Sequence, residues 1–185
     1  ATCRIRPLDR AYLQSEALAS AELLAPWLDR GSTYLDWLAR QCAQVAGNSL
    51  PFVATHGDLT MWNVVLGSKG QLGVLDWESG RADGLPLTDL SYALVDAAAA
   101  TQGYVNRQQA FTACFSSAGS HHLLATRLCA ESKALGVSPE LAQVCFHLGW
   151  LHHAVNEHAA SGGAEPHPFL DIMQWLVDHR LEKMV

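Results

Sequence analysis

The run His56-Gly57-Asp58-Leu59-Thr60-Met61-Trp62-Asn63, followed shortly by Leu75-Asp76-Trp77-Glu78, constrains this 185-residue chain more than any other stretch. Phe52-Val53-Ala54-Thr55 leads into it as a short β-prone segment. Residues 63–66 and 72–75 are two apolar runs joined by Gly67-Ser68-Lys69-Gly70-Gln71, a turn composition that predicts an antiparallel hairpin. Such pairing sets the start of the first strand beside the end of the second, so Asn63 and Asp76 become neighbours. An amide and two carboxylates thus gather at one end of the hairpin.

That trio can divide labour. Asp58 can orient and deprotonate a hydroxyl, while the Asn63 amide oxygen and the Asp76 carboxylate hold Mg2+ on phosphate oxygens. Mg2+ prefers hard oxygen donors and is commonly held by one or two protein carboxylates, with phosphate and water completing the shell. Taken singly, Asp and Asn also favour turns and caps, so each residue alone has an ordinary structural explanation.

The rest of the chain is helical in pattern. Residues 1–50 read as helices throughout: a stretch around Ser15 to Trp27, then a helix capped by Ser32. In the second, Leu35, Leu38, Ala39, Cys42 and Val45 form one apolar stripe that ends at Gly47-Asn48. After Gly80 and Gly84, Thr88 reads as an N-cap with Asp89 in the first helical turn, where a carboxylate meets the positive end of the helix dipole. From there helices are expected to the end, punctuated at Gly103, Gly119-Ser120, Gly136 and the loop 162–168. Ser138 and Pro139 open one of them. The last carries Phe169, Ile172, Met173, Leu176 and Val177 on one face, with His179, Arg180 and Lys183 near its end.

Nearly half of the residues are hydrophobic (49%) and the net charge is −6, which suits one globular domain and disfavours nucleic-acid or anionic-membrane partners. No window is apolar for long enough to span a membrane. The five cysteines form no CxxC pair and read as reduced core residues of a cytoplasmic protein.

The segments HGDLTMWN and LDWE resemble the catalytic and metal-binding segments of the aminoglycoside phosphotransferase and choline kinase family, the small-molecule branch of the kinase-like fold. The resemblance implies an α+β, mainly α fold, the C-terminal lobe of a protein-kinase-like enzyme, with a small β-hairpin carrying the catalytic and metal-binding loops. Its parts would be leading helices over 1–50, the catalytic loop and hairpin over 51–80, and a helical acceptor-binding part over 85–185. It further implies that Asp58 is the catalytic residue facing the acceptor hydroxyl and that His56 buttresses the catalytic loop. Asn63 and Asp76 would bind the cofactor through Mg2+, Glu78 would add a metal or outer contact, and Asp89 would tie the loop down. The implied activity is ATP-dependent phosphoryl transfer to a small-molecule alcohol.

The sequence departs from that family upstream. The 55 residues before His56 hold no glycine-rich loop and no Lys, so the chain reads as the C-terminal lobe without the N-terminal nucleotide lobe. ATP binding by such a lobe alone is expected to be weak, and its uncovered face is expected to favour a homodimer. A non-catalytic kinase-like binding module is the alternative, and a metal-dependent hydrolase using Asp58 and Asp76 a third, less favoured reading.

On the substrate side, Phe146 and Trp150 read as core aromatics. His147, His152, His153 and His158 line a polar groove or face solvent, and a zinc reading of His153 with Glu157 lacks a third ligand. Carboxylates after residue 100 are few and scattered, so an aminoglycoside is only weakly supported as acceptor, and a sugar or amino alcohol fits as well.

Overall fold

The computed structural model describes residues 3–163 and 167–179. Residues Arg180 and Lys183, expected at the end of the last helix, lie outside them.

A strand opens the described chain: β1 (Arg4–Pro7) pairs antiparallel with β2 (Ser49–Thr55), Arg4 opposite Phe52 and Pro7 opposite Ser49. This corrects the expectation that residues 1–50 are helical throughout. All four β1 residues are exposed, so no apolar alternation marks the strand in sequence. Arg6 holds it from outside, stacking 3.9 Å above the Phe52 ring and pairing with Asp83 at 2.9 Å. On the other side, β2 pairs with β5 (Arg81–Gly84), giving the sheet order β1-β2-β5. Gly84 is required there, because a Cβ on it would stand 2.3 Å from the Thr55 side chain.

The next helical stretch begins earlier than expected, at α1 (Arg10–Leu13), which Asp9 caps by accepting from Ala11 N–H. It passes through a π turn over Gln14–Leu18 into α2 (Ala19–Leu24) and ends in a 3-10 turn over Ala25–Trp27. α3 (Gly31–Val45) is not capped by Ser32; Arg30, in a left-handed conformation at φ 60°, precedes it without a side-chain cap. Tertiary contacts fix the entry to the helix: the Arg30 guanidinium pairs with Asp178, and Asp29 N–H donates to Gln174 Oε1 at 2.7 Å. Gly31 allows the tight approach, since a Cβ would lie 2.1 Å from the Ala25 carbonyl oxygen.

The hairpin forms as expected. β3 (Val64–Leu66) and β4 (Leu72–Val74) pair antiparallel with Val64 opposite Val74, and Leu75 N–H donates to Asn63 O at 2.8 Å. α4 (Thr88–Thr101) follows, preceded by Leu87 at φ 71° rather than capped by Thr88, whose hydroxyl donates to Leu85 O instead.

α5 (Arg107–Phe115), α6 (His122–Ala134), α7 (Pro139–Ala160) and α8 (Pro168–His179) complete the chain, with Ser138 and Pro139 opening α7 as the sequence suggests. α7 is the central rod. It packs against α2, α3, α4 and α8, and every residue over 144–151 is buried, as expected of a helix surrounded by others. Phe111, Phe146, Trp150 and Met173 fill the space between α5, α7 and α8. Cys42, Cys114 and Cys145 are buried free thiols, whereas Cys3 is exposed. Among the described residues, no helix is long and apolar enough to cross a membrane.

Candidate active site

The loop between β2 and β3 is held from three directions by polar groups bonding its backbone. Asp89, in the first turn of α4, accepts from His56 N–H at 2.5 Å and from Gly57 N–H at 3.0 Å. Asp96, two turns further along α4, accepts from Met61 N–H at 2.7 Å. His56 stands between them. Its ring is 1% exposed, Nδ1 accepts from Asp58 N–H at 3.2 Å, and Nε2 donates to Leu75 O at 2.7 Å. These partners select the Nε2–H tautomer. Trp77 closes over the imidazole edge-on, ring centroids 4.9 Å apart, and is itself tied by its indole N–H to Val74 O at 3.0 Å.

Gly57 has φ +83°, and a Cβ there would sit 2.8 Å from Ser79 O. The sequence Gly-Asp is thus a backbone demand as well as a chemical one. Asp58 emerges from this turn with its side chain exposed. A 3-10 turn over Met61–Asn63 then brings Asn63 back, so that its Nδ2 donates to Asp58 O at 2.9 Å. That bond orients the amide and leaves Oδ1 as its outward acceptor. Asp76, one step past the residue opposite Asn63, takes the left-handed region at φ 60°, a conformation that costs a non-glycine residue energy and that turns the chain sharply at this point. Glu78 is exposed two residues on.

Asp58, Asn63 and Asp76 are therefore carried on one loop and one end of one hairpin. Among the described residues no three His, Cys, Asp or Glu side chains converge as a metal cage. The oxygen set here is an amide and exposed carboxylates, which suits a hard divalent cation whose remaining ligands come from phosphate and water.

Two residues of this neighbourhood escaped the sequence reading. Asp96 is 0% exposed in the middle of α4; besides Met61 it takes Tyr104 Oη–H at 3.1 Å and faces Arg107 Nη1 at 3.2 Å. A lone carboxylate within Leu94-Val95-Asp96-Ala97-Ala98 was the available signal, because an unpaired charge does not survive in such a helix face. Arg107, at the start of α5, had no signal of its own.

Of the histidines, His152 and His153 line a cavity of about 70 Å3 beside Gly57, Arg81 and Asp89. His153 lies flat on Tyr92, centroids 3.6 Å apart, and burial first, with the charges of His152 and Arg107, pushes its pKa down to about 3. His147 is wholly buried, with its Nδ1 3.1 Å from the Tyr34 hydroxyl.

The described residues form a mainly helical α+β chain in which the loop carrying Asp58 precedes a hairpin. The family model described as "Phosphotransferase enzyme family" (APH) matches residues 4–119, which takes in β1, the loop, the hairpin, α4 and α5. The chain belongs to that family, whose shared chemistry is phosphoryl transfer. No curated protein and no solved structure gives a significant match.

Proposed function

We propose that the protein transfers the γ-phosphoryl group of ATP to a hydroxyl of a small molecule, with Asp58 facing that hydroxyl as its base. The observation that carries the reading is the anchoring of the loop. Two carboxylates and one imidazole are spent on holding the backbone around an exposed Asp58, and the Asn63 amide is bonded to the same peptide. Phosphoryl transfer depends on positioning and electrostatics more than on covalent chemistry, so a rigid loop presenting a free carboxylate is what the reaction requires.

Asn63 Oδ1 and the Asp76 carboxylate would hold Mg2+, with Glu78 close enough in sequence to contribute directly or through water. When bound, the ion would neutralise charge on the phosphate oxygens. Asp58 accepts the proton of the attacking hydroxyl, and His56 keeps the loop in register from behind. His56 is a positioning residue, since both ring nitrogens are committed to backbone groups.

The exposed apolar side chains Trp62, Val65, Leu66, Leu72, Leu75 and Trp77 all lie on or beside the hairpin. Leu66 and Leu72 are cross-strand partners, and apolar side chains left exposed at one hairpin are suited to self-association or to covering by further protein.

The test is ADP release from Mg-ATP with a panel of hydroxyl acceptors, comparing wild type with Asp58→Asn and Asp76→Asn. Both variants should lose activity by about 100-fold or more. Activity near wild type in Asp58→Asn overturns the assignment of the base. Acceptor binding without ADP release, in a wild type that calorimetry shows to bind Mg-ATP, favours the non-catalytic module, whereas failure to bind Mg-ATP is the outcome expected of a lobe without its nucleotide-binding partner.

A further inference from the structure

Arg107 occupies an unusual place for a cation. Its guanidinium carbon is 5.5 Å from the centre of the Tyr92 ring and 5.3 Å from that of Phe169, and these two rings stack on each other with centroids 6.2 Å apart. Its Nη1 lies 3.2 Å from Asp96 Oδ1 and donates to the Tyr92 hydroxyl, also at 3.2 Å. The Asp96 side chain is 0% exposed and that of Arg107 only 21%, so the pair is largely removed from water. Two aromatic faces with a buried carboxylate are the chemistry that recognises an organic cation. Here the chain supplies the cation itself.

The position is adjacent to the proposed active site. Asp96 also anchors Met61, three residues beyond Asp58. Trp62, on the same loop, stacks on Tyr104 with centroids 6.1 Å apart, and Tyr104 bonds Asp96. Burial pushes the pKa of the Tyr92 hydroxyl up, Arg107 pulls it down and the charge of Asp58 raises it again. A cavity of about 260 Å3 opens alongside, lined by Arg107, Tyr104, Gln108 and Asp171 among others.

We propose that Arg107 sets acceptor specificity: its guanidinium fills the aromatic and carboxylate site beside the catalytic loop that an organic cation would otherwise take. The site therefore admits hydroxyl compounds that carry no fixed positive charge. This deepens the phosphotransferase reading and rests on it for the role of the excluded ligand as an acceptor, but the cation site itself is testable without turnover. An ammonium-bearing alcohol would have to displace a guanidinium already paired with Asp96, leaving either two cations on one carboxylate or a charge stranded in a poor dielectric.

The experiment uses the full chain and tetramethylammonium chloride, with sodium chloride at matched ionic strength as control. Binding is read by calorimetry and by the shift in melting temperature. Arg107→Met, which keeps the apolar stem, and Arg107→Gln should each bind tetramethylammonium on the order of tenfold more tightly than wild type. Arg107→Lys, which restores a cation, should bind no better than wild type.

The proposal is overturned if the Met and Gln variants, with native circular dichroism, gain no affinity, or if the wild type already binds as tightly as they do. Should neither variant fold unaided, methylguanidine is the probe. Restoration of a cooperative melting transition by methylguanidine supports the site, and its failure to restore one overturns it. Tetramethylammonium has no hydroxyl, so a null result here leaves Asp58 as the base untouched. Conversely, loss of the Asp58 assignment leaves the measured cation site standing.

Discussion

Asp89 and Asp96 lie seven residues apart on one face of α4 and hold opposite ends of the same loop, Asp89 at His56 and Gly57 and Asp96 at Met61. The helix acts as a ruler. Two turns of it set the span across which the exposed Asp58 is presented, so the geometry of the loop is inherited from a rigid element.

Replacing either end should loosen the middle. Asp96→Asn removes one member of a buried ion pair and leaves the Arg107 guanidinium without its charge partner, which should cost about 3 kcal/mol in urea denaturation. Asp89→Asn weakens two hydrogen bonds to a carboxylate and should cost about 2 kcal/mol. Because both act on one loop, the double variant should lose less than the sum of the two; strict additivity would show that the ends are independent.

His56→Phe keeps the volume behind the loop but removes both ring hydrogen bonds, stranding Leu75 O and Asp58 N–H. Stability should fall by about 2 kcal/mol. Since the ring is placed to position and not to react, kcat should fall while the pH dependence of turnover keeps its shape. Unchanged kcat in this variant would show that the ring is not needed to hold the loop.

Gly57→Ala would combine a left-handed backbone position with a Cβ 2.8 Å from Ser79 O. A cost of about 1–3 kcal/mol is expected, together with impaired turnover, because the displaced residue immediately precedes Asp58. Wild-type melting and activity in this variant would show that the 57–79 contact carries no constraint.

Acid should destabilise the fold through buried histidines, His147 and His153, of which His147 is the simpler case because burial alone lowers its pKa. Burial pushes its pKa down to about 3, from an ordinary value of 6.5. Between those values the unfolded chain binds a proton that the folded chain refuses, so stability is fully present well above pH 6.5 and declines as pH falls through it. From pH 6.5 to 5 the loss should be about 1.6 kcal/mol. In His147→Leu that part of the slope should vanish; an unchanged slope would place the acid-sensitive group elsewhere.

The exposed apolar side chains of the hairpin should make the chain associate as its concentration rises. Leu66→Lys with Leu72→Lys, both at exposed positions, should shift light scattering or size exclusion toward the monomer without lowering the melting temperature. A wild-type monomer at high concentration would remove this expectation.

The parts legible in the sequence were those whose physics is local. The hairpin's register follows from two short apolar runs and a glycine-containing turn, so the neighbourhood of Asn63 and Asp76 could be read from spacing alone. The order of HGDLTMWN, hairpin and DWE was enough to reach the family. The stripe of α8 and the Ser138-Pro139 entry to α7 likewise depend on residues a few positions apart.

Contacts between distant segments decided the rest. β1 has four exposed residues and no alternation; it is a strand because β2, more than forty residues away, offers it an edge and Phe52 a seat for Arg6. The expected caps at Ser32 and Thr88 gave way because Arg30 and Leu87 are held in left-handed conformations, Arg30 beside ties from Asp29 and Arg30 to α8. Asp96 and Arg107 look unrelated in sequence, and only the packing of α5 against α4, with Phe169 of α8 stacked on Tyr92, makes them a buried pair beside two aromatic rings. The order of residues along the chain could set Asp58, Asn63 and Asp76 near one another, but which side chain stands between Asp96 and the two rings was decided by the packing of separate helices.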